Sequence, residues 1–227
     1  MKDAGAVTPP HRKTGRPLSF DRAAALEQAM LTFWRHGYET TSIVDLTSAM
    51  GVTPPSLYAA FGDKKRLFLE AMRLYAGDPE AMAQAIDRAP TAYDAARDML
   101  MGSATAFTGD DTPKGCLLAS ATASGSSASA DVQQAVAAIR LRIAAQLRAR
   151  IERDIEFGVL SCDTDADALS GLVMALIQGL SVLARDGATR ASMIAVVDAA
   201  LGAWPPKRSG RRSLRRARVS STVSPRD

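Results

Sequence analysis

The sequence predicts an all-α fold of about nine helices, divided into a small N-terminal domain and a larger C-terminal domain. Apolar residues recur at intervals of three and four along most of the chain, which is the spacing of one helix face. Apolar residues make up 47% of the chain and aromatic residues only 5%, and this alanine-rich composition favours helices over sheets. No run alternates between apolar and polar residues over a useful length, so no strand is predicted.

The first helix is expected to begin at Ser19, which we interpret as its N-cap, with Asp21 in the first turn. Gly37 is expected to end this helix as a left-handed C-cap. Residues 1–18 contain proline, glycine and basic residues without an apolar pattern, so we expect a disordered basic arm before the first helix.

Two short helices with a tight turn between them follow. Ser42 and Asp45 form a capping-box-like pair at the start of the first, over residues 43–50. Thr53 caps the second, residues 53–61, whose first turn holds two prolines at positions that need no N–H partner. This arrangement is typical of a helix-turn-helix, whose second helix enters the major groove of DNA. An ordinary helical hairpin is the alternative.

A cluster of cations marks the start of the fourth helix. Asp63 is the expected N-cap, and Lys64, Lys65 and Arg66 occupy the first turn. Exposed cations at this end oppose the helix dipole at a cost of about 0.3–1 kcal/mol each. The arrangement is favourable if an external anion, such as a DNA phosphate, lies at the helix start. Alternatively, Asp63 and Glu70 neutralise the cluster.

The C-terminal part of the chain is predicted to consist of further helices. The Gly-Asp-Pro sequence at residues 77–79 is expected to break the fourth helix. A short helix is expected to start near residue 115. Longer helices are predicted at residues 91–107, 131–157, 163–185 and 189–204.

The last two helices, 163–185 and 189–204, are strongly apolar and contain small residues that allow close helix approach. They could pair with a second copy of the chain as half of a four-helix bundle, or they could pack within one subunit. A homodimer is mechanically required for two DNA half-sites about one helical turn apart.

The charge is distributed unevenly. The chain has a net charge of +4, but residues 1–18 carry +3 and residues 205–227 carry +7, so the part between them carries −6. Basic ends on an acidic body fit contact with a polyanion. For the tail of residues 205–227, which we expect to be disordered, a role in solubility alone is the alternative.

Composition and missing motifs argue against other classes of protein. No run of 18 apolar residues and no secretory signal is present, and two cysteines fit a reducing cytoplasm. We find no phosphate-binding loop, zinc-protease motif or nucleophile elbow, so we expect neither an enzyme nor a bound cofactor or metal. An architectural protein that coats DNA without sequence preference is a second rival, which footprinting would distinguish.

Recognition residues can be proposed from the arm and from the second short helix. Arg16 lies in a Gly-Arg-Pro sequence suited to a narrow minor groove, unless the arm is merely flexible. Tyr58 can donate its hydroxyl to a phosphate. The positions around it are short or neutral, which lets the helix approach the base edges.

These residues carry a family resemblance. Residues 37–46, the Met-Gly-Val at 50–52 and the Ser-Leu-Tyr-Ala-Ala-Phe-Gly-Asp-Lys at 56–64 resemble the DNA-binding domain of the TetR/AcrR transcriptional regulators, over roughly residues 19–75. Lys-Gly-Cys-Leu-Leu at 114–118 is similar to the start of the sixth helix in one branch of that family. The resemblance implies an all-helical homodimer, usually a repressor, with residues 76–204 as the ligand-binding and dimerisation domain.

The resemblance also implies DNA contacts, mostly to phosphates. Pro54 and Pro55 stand where many relatives carry Arg, Gly or Thr, so direct base readout by this helix is expected to be sparse. The predicted DNA-binding residues are Arg16, Thr41, Ser42, Thr53, Pro54, Pro55, Ser56, Tyr58, Lys64 and Lys65.

A ligand pocket is expected among the middle helices, although plain core packing is the alternative for each of its residues. Cys116 stands out because Lys114 and a helix start would lower its thiol pKa and suit it to sensing an oxidant or electrophile, unless it is a small buried hydrophobe. Cys162 has acidic neighbours that disfavour a thiolate. The predicted lining residues are Met99, Ser103, Phe107, Cys116, Met174 and Gln178.

Together these features predict a cytoplasmic, ligand-released repressor that acts as a homodimer on a palindromic double-stranded operator. A small-molecule effector would bind better to a form whose reading helices are wrongly spaced for DNA. The coupling free energy of such systems is typically about 1–3 kcal/mol.

Overall fold

The computed structural model describes residues 20–120 and 130–206, and every regular element in this part of the chain is an α-helix. The first four helices form an N-terminal unit, and the remaining six form a larger C-terminal unit. The helices are α1 (Arg22–His36), α2 (Ile43–Met50), α3 (Pro54–Phe61), α4 (Lys64–Ala76), α5 (Pro79–Arg88), α6 (Ala92–Phe107), α7 (Leu117–Ser120), α8 (Ala130–Glu156), α9 (Ala166–Arg185) and α10 (Arg190–Gly202).

The core of the N-terminal unit lies where α1 crosses α2 and α4. Phe33 of α1 meets Phe68 of α4 edge to face, with ring centroids 5.0 Å apart. Leu46, Leu57 and Leu67, one each from α2, α3 and α4, are fully buried beside them. Burying a side chain of this size contributes about 1.5–3 kcal/mol, so these contacts hold the three short helices against α1.

The predicted caps of α2, α3 and α4 are present. The Ser42 hydroxyl accepts from the Asp45 backbone N–H at 3.1 Å, and the Asp45 carboxylate accepts from the Ser42 N–H at 2.8 Å, which completes the capping box. Thr53 caps α3 through the N–H of Ser56, and Asp63 caps α4 in the same way. These side-chain hydrogen bonds fix where each short helix begins.

Three features differ from the sequence prediction. Asp21 is the N-cap of α1, because its carboxylate accepts from two successive N–H groups at 2.9 and 3.2 Å, whereas Ser19 lies outside the described residues. Gly37 does end α1 with φ +84°, but its ψ of 169° is not left-handed helical. The Gly-Asp-Pro sequence that ends α4 also begins a further helix, α5, because Asp78 is its N-cap and proline is tolerated at its first position.

The C-terminal unit is organised around α8, which packs against α5, α6 and α9, while α6 also contacts α10. A buried ion pair joins Arg150 to Asp154 on α8. The Asp154 carboxylate also accepts from the N–H of Ala92 at 2.7 Å, and Arg150 donates to the carbonyl oxygens of Ala89 and Pro90. These bonds attach α8 to the connection between α5 and α6.

Helix α9 has one buried and one exposed apolar face. Leu169, Val173 and Leu180 are buried, whereas Leu172 and Val182 are 47% and 57% exposed. Among residues 20–120 and 130–206, α9 alone is long and apolar enough to cross a membrane by length and composition, a criterion that core helices also meet. Helix α9 thus presents an apolar surface on the outside of the single chain.

Candidate nucleic-acid interface and internal cavity

Helices α2 and α3 form a helix-turn-helix with an outward face on α3. The turn is made by Gly51, whose φ of +65° and ψ of +31° are left-handed helical. Leu57 and Phe61 bury the inner face of α3, while Thr53, Pro54, Pro55 and Tyr58 are exposed and Ser56 is half-buried. The predicted reading residues of α3 thus share one accessible surface.

The two predicted contact residues before α2 are placed differently. Ser42 is exposed, and its hydroxyl lies 2.7 Å from the Asp45 carboxylate. Thr41 is only 1% exposed, and its hydroxyl donates to the carbonyl oxygen of Gly37 at 2.6 Å. This departs from the expectation of a surface contact, because the Thr41 side chain instead fixes the turn between α1 and α2.

The start of α4 presents three cations that all have protein partners. The Lys64 ammonium lies 4.7 Å from the centroid of the Tyr38 ring and donates to the Glu39 carbonyl oxygen at 3.3 Å. Partial burial lowers the pKa of Lys64, and the nearby carboxylates of Glu39 and Asp45 oppose this shift. The ring and the carbonyl hold the ammonium group in one place at the edge of the exposed face.

The other two cations of this turn are paired with carboxylates. Lys65 forms an ion pair with Asp131 in the first turn of α8, although both side chains are about half exposed. The guanidinium of Arg66 lies 3.6 Å from the carboxylate of Asp63, the N-cap of the same helix. Asp63 therefore neutralises Arg66, as the alternative interpretation of the cation cluster predicts. Glu70 does not contribute, because its carboxylate pairs with another residue.

The partner of Glu70 is Arg22, a residue that the sequence analysis missed. Arg22 donates to both Glu70 carboxylate oxygens at 2.7 and 3.0 Å and to the Ala60 carbonyl oxygen at 3.3 Å. Its guanidinium carbon also lies 4.4 Å from the centroid of the Phe61 ring. Arg22 thus joins α1, the end of α3 and α4, and it helps to fix the orientation of α3.

An internal cavity of about 510 Å³ lies between the two units. All six predicted ligand-binding residues line it, and most of its other walls are apolar. Two further walls come from Trp34 of α1 and Tyr75 of α4, whose rings meet edge to face at 4.8 Å. Sequence patterns did not indicate these two residues, because the contact between α1, α4 and the C-terminal helices is long-range.

Cys116 lies at the wall of this cavity and is 5% exposed. Its backbone N–H donates to the Ser181 hydroxyl at 2.8 Å, and the Tyr75 hydroxyl donates to its sulfur at 3.3 Å. Burial and the neighbouring Cys116 raise the pKa of Tyr75, so this phenol stays protonated and remains a donor. Gly115 is required beside it, since at φ +81° an added Cβ would lie 2.8 Å from the Ser181 carbonyl oxygen.

The Lys114 side chain has hydrogen-bond partners other than the Cys116 thiol. The Lys114 ammonium instead donates to the carbonyl oxygens of Thr108 and Gly109 and to the Asp110 carboxylate. The helix that follows, α7, is a single turn beginning after Cys116. The group that hydrogen-bonds to the sulfur is the Tyr75 hydroxyl. Cys116 does stand at a helix start, because the N–H of Ser120 in α7 donates to its carbonyl oxygen at 3.0 Å.

Several predicted features lie outside the described residues. They are Arg16 with the rest of the basic arm, and the tail beyond residue 206. Within residues 20–120 and 130–206, no group of three His, Cys, Asp or Glu side chains is placed to bind a metal.

Comparison with known proteins agrees with this architecture. Residues 25–71 match the family described as bacterial regulatory proteins, tetR family, and residues 96–197 match the tetracyclin repressor-like C-terminal domain. The HTH-type transcriptional repressor ComR of Escherichia coli (strain K12) is 32% identical over 196 residues, which cover 86% of this chain and 93% of ComR. The chain belongs to the TetR family.

Solved structures of TetR-family regulators show the same fold. A cysteine mutant of the regulator CifR, complexed with 26-bp double-strand operator DNA, is 41% identical, with a TM-score of 0.79. The match covers 84% of this chain and all of the CifR chain. A TetR regulator from Rhodococcus sp. RHA1 is 37% identical over 82% of this chain, with a TM-score of 0.55.

Proposed function

We propose that this TetR-family protein is a homodimeric transcriptional repressor that binds a palindromic DNA operator and is released from it by a small-molecule effector. The exposed face of α3, braced by Arg22 and flanked by the cations of α4, carries this proposal. The operator complex of the CifR mutant, which is 41% identical, supports it. We further propose that the protein acts in the cytoplasm and catalyses no reaction.

In this proposal α3 enters the major groove and the surrounding residues contact the sugar-phosphate backbone. Tyr58 is 47% exposed and can donate its hydroxyl to a phosphate, as can the exposed Ser42. Lys64 and Lys65 at the start of α4 supply positive charge at the edge of the groove. Arg16 would extend the contact into the minor groove through the basic arm.

The exposed apolar face of α9 supports the dimer. Leu172, Val182 and Leu183 of α9 and Val196 of α10 are all more than one-third exposed in a single chain. Small residues between them permit close helix approach, and Gly171, Ala175 and Gly179 are exposed on α9. Pairing of α9 and α10 with the same helices of a second copy would bury this surface in a four-helix bundle.

Effector control follows from the position of the cavity. Tyr75 lines the cavity and Lys64 lies at the DNA-facing end, and both belong to α4, which spans about 20 Å. A ligand that displaces Tyr75 would therefore move the start of α4 and the reading helix packed on it. With residues 19–75 as the DNA-binding domain and 76–204 as the sensing domain, α4 is the connection between them.

Footprinting of the full-length protein on DNA flanking its own gene tests this proposal. We expect protection of one palindromic site at low protein concentration, with two protected half-sites about one helical turn apart. Light scattering should give the mass of a dimer. Uniform, salt-sensitive coating without a preferred site would contradict sequence-specific repression.

A further inference from the structure

The first four helical residues of α3, residues 54–57, offer no free backbone hydrogen-bond donor. Pro54 and Pro55 occupy the first two helical positions and have no N–H. The N–H of Ser56 donates to the Thr53 hydroxyl at 3.4 Å, and that of Leu57 to the Thr53 carbonyl oxygen at 3.0 Å. A helix start normally leaves such groups free for an acceptor, so this one is unusually poor in donors.

The side chains of the same face are also poor in hydrogen-bonding groups. The Thr53 and Ser56 hydroxyls lie 2.9 Å apart, so one of them donates to the other. Pro54, Pro55 and Ala59 are exposed and present only carbon and hydrogen. The side chains of this accessible surface are therefore mainly apolar, and Tyr58 adds one phenol hydroxyl to it.

In the major groove, the apolar group displayed at a base edge is the C5 methyl of thymine. We propose that Pro54, Pro55 and Ala59 read the operator through thymine methyl groups, with hydrogen bonds to base edges playing a minor part. This inference rests on the proposed function, because it assumes that α3 lies in the major groove. It assigns sequence specificity to residues that have no polar atom in their side chains.

Rigid apolar residues suit this role. Proline has a fixed φ and alanine has no side-chain rotamer, so neither loses side-chain freedom when it is buried against a base. The two prolines are adjacent, and Ala59 lies about one helical turn beyond Pro55, on the same side of α3. The surface thus has the length of one helical turn, which limits contact to a few neighbouring base pairs.

The test begins with a duplex selected from a random-sequence pool by the full-length protein. Each thymine is then replaced singly by deoxyuridine, which removes the methyl group and keeps both the base pair and the O4 acceptor. We expect replacement at two or three positions in each half-site to weaken binding about fourfold, the effect of burying one methyl-sized group. Minor-groove contacts by the arm would be unaffected, because the thymine methyl lies in the major groove.

A second pair of duplexes checks that the methyl group itself is read. Replacing a sensitive T·A pair by C·G should weaken binding, and methylating that cytosine at C5 should restore part of the loss. If all deoxyuridine duplexes bind as tightly as the parent while selectivity remains, the methyl readout is overturned and the proposed function stands. If no duplex is enriched by the selection, the proposed function fails and this inference fails with it.

Protein variants identify which residue of α3 contacts which thymine methyl group. Pro55→Ala folds readily because alanine is a good helix former, and it should abolish the deoxyuridine penalty at one position while the other penalties remain. Ala59→Gly should do the same at a neighbouring position, with its fold checked by circular dichroism. Pro79→Ala is the matched control, since Pro79 is an exposed proline at the first position of α5. An unchanged pattern of penalties in both α3 variants would overturn the assignment.

Discussion

The two units of this protein differ in how their polar contacts are made. In α1–α4, some polar contacts join exposed residues that are close in sequence, as in the Ser42–Asp45 capping box. Others join distant residues near the surface, as in the Arg22–Glu70 ion pair. In α5–α10, buried hydrogen bonds join residues that are far apart in sequence, as between Asp154 and Ala92 or between Cys116 and Ser181. The first unit therefore presents an exposed surface, and the buried contacts of the second hold together the helices that form most of the cavity wall.

The largest effect should come from breaking the buried ion pair of the C-terminal unit. We expect Asp154→Asn to lower the free energy of unfolding by about 3–5 kcal/mol, because it leaves the Arg150 charge buried without a counter-charge. Urea denaturation measures this. The matched control is Asp167→Asn, whose exposed pair with Arg148 should be worth less than about 1 kcal/mol. Equal losses in both variants would show that burial of the ion pair does not determine its contribution to stability.

A backbone substitution beside the cavity should have the next largest effect. Gly115→Ala should destabilise the fold by about 1–3 kcal/mol, since the residue has φ +81° and its new Cβ would meet the Ser181 carbonyl oxygen. Gly102→Ala is the control, because Gly102 lies within α6 with open space around it and should gain about 0.5–1 kcal/mol. Thermal unfolding distinguishes the two, and a neutral Gly115→Ala would show that the cavity wall is loosely held.

Between the two units, removal of the exposed ion pair of Lys65 and Asp131 should alter DNA binding more than stability. Asp131→Asn frees Lys65 and removes a negative charge near the DNA, so affinity at low salt should rise about three- to tenfold. The dependence of log K on log salt should steepen by about one unit. The unfolding free energy should change by less than about 1 kcal/mol.

The control for this variant removes the same charge from the far end of the same helix. Glu152 lies about 30 Å from Asp131 along α8, so Glu152→Gln should leave the salt dependence unchanged. An equal rise in affinity for both variants would mean that net charge alone is responsible, and that Lys65 is not a phosphate contact.

Much of the N-terminal unit could be predicted from the sequence because its signals are local. The side chains of Ser42, Thr53 and Asp63 each accept from the backbone N–H three residues later, and this spacing is visible in the sequence. The N-cap of α1 was assigned two residues too early, to Ser19 in place of Asp21, because serine and aspartate are both good caps. Helix α5 was missed because a proline that ends one helix also permits the next to begin.

Contacts between distant residues could not be predicted in the same way. The six residues predicted to line a pocket lie on or directly beside the middle helices, and the structure brings all of them to one cavity. Tyr75 and Trp34 were not predicted there, since their placement depends on how α1 and α4 lie against the C-terminal helices. The pairing of Lys65 with Asp131 spans 66 residues and has no local signal.

The smallest predicted effect is the pH dependence of the α2 cap. Hydrogen bonds from the Ser42 hydroxyl and N–H hold the pKa of Asp45 below its usual value, so the cap stabilises the fold above the unfolded pKa of about 4. That contribution is lost as pH falls through the lower folded pKa. The stability difference between wild type and Asp45→Asn should be constant above about pH 5 and shrink below about pH 4. A difference that stays constant down to pH 3 would contradict the role of the carboxylate.

The most direct test of the reading helix is the affinity of the double variant Tyr58→Phe, Lys64→Ala for a selected duplex and for a scrambled one, measured by fluorescence anisotropy at fixed salt. With α3 in the major groove and the start of α4 on the phosphates, affinity for the selected duplex should fall by about 10- to 100-fold, at about 1 kcal/mol or more per lost contact, while circular dichroism shows a folded protein. Unchanged, sequence-selective affinity in that double variant would show that another surface of the protein binds DNA.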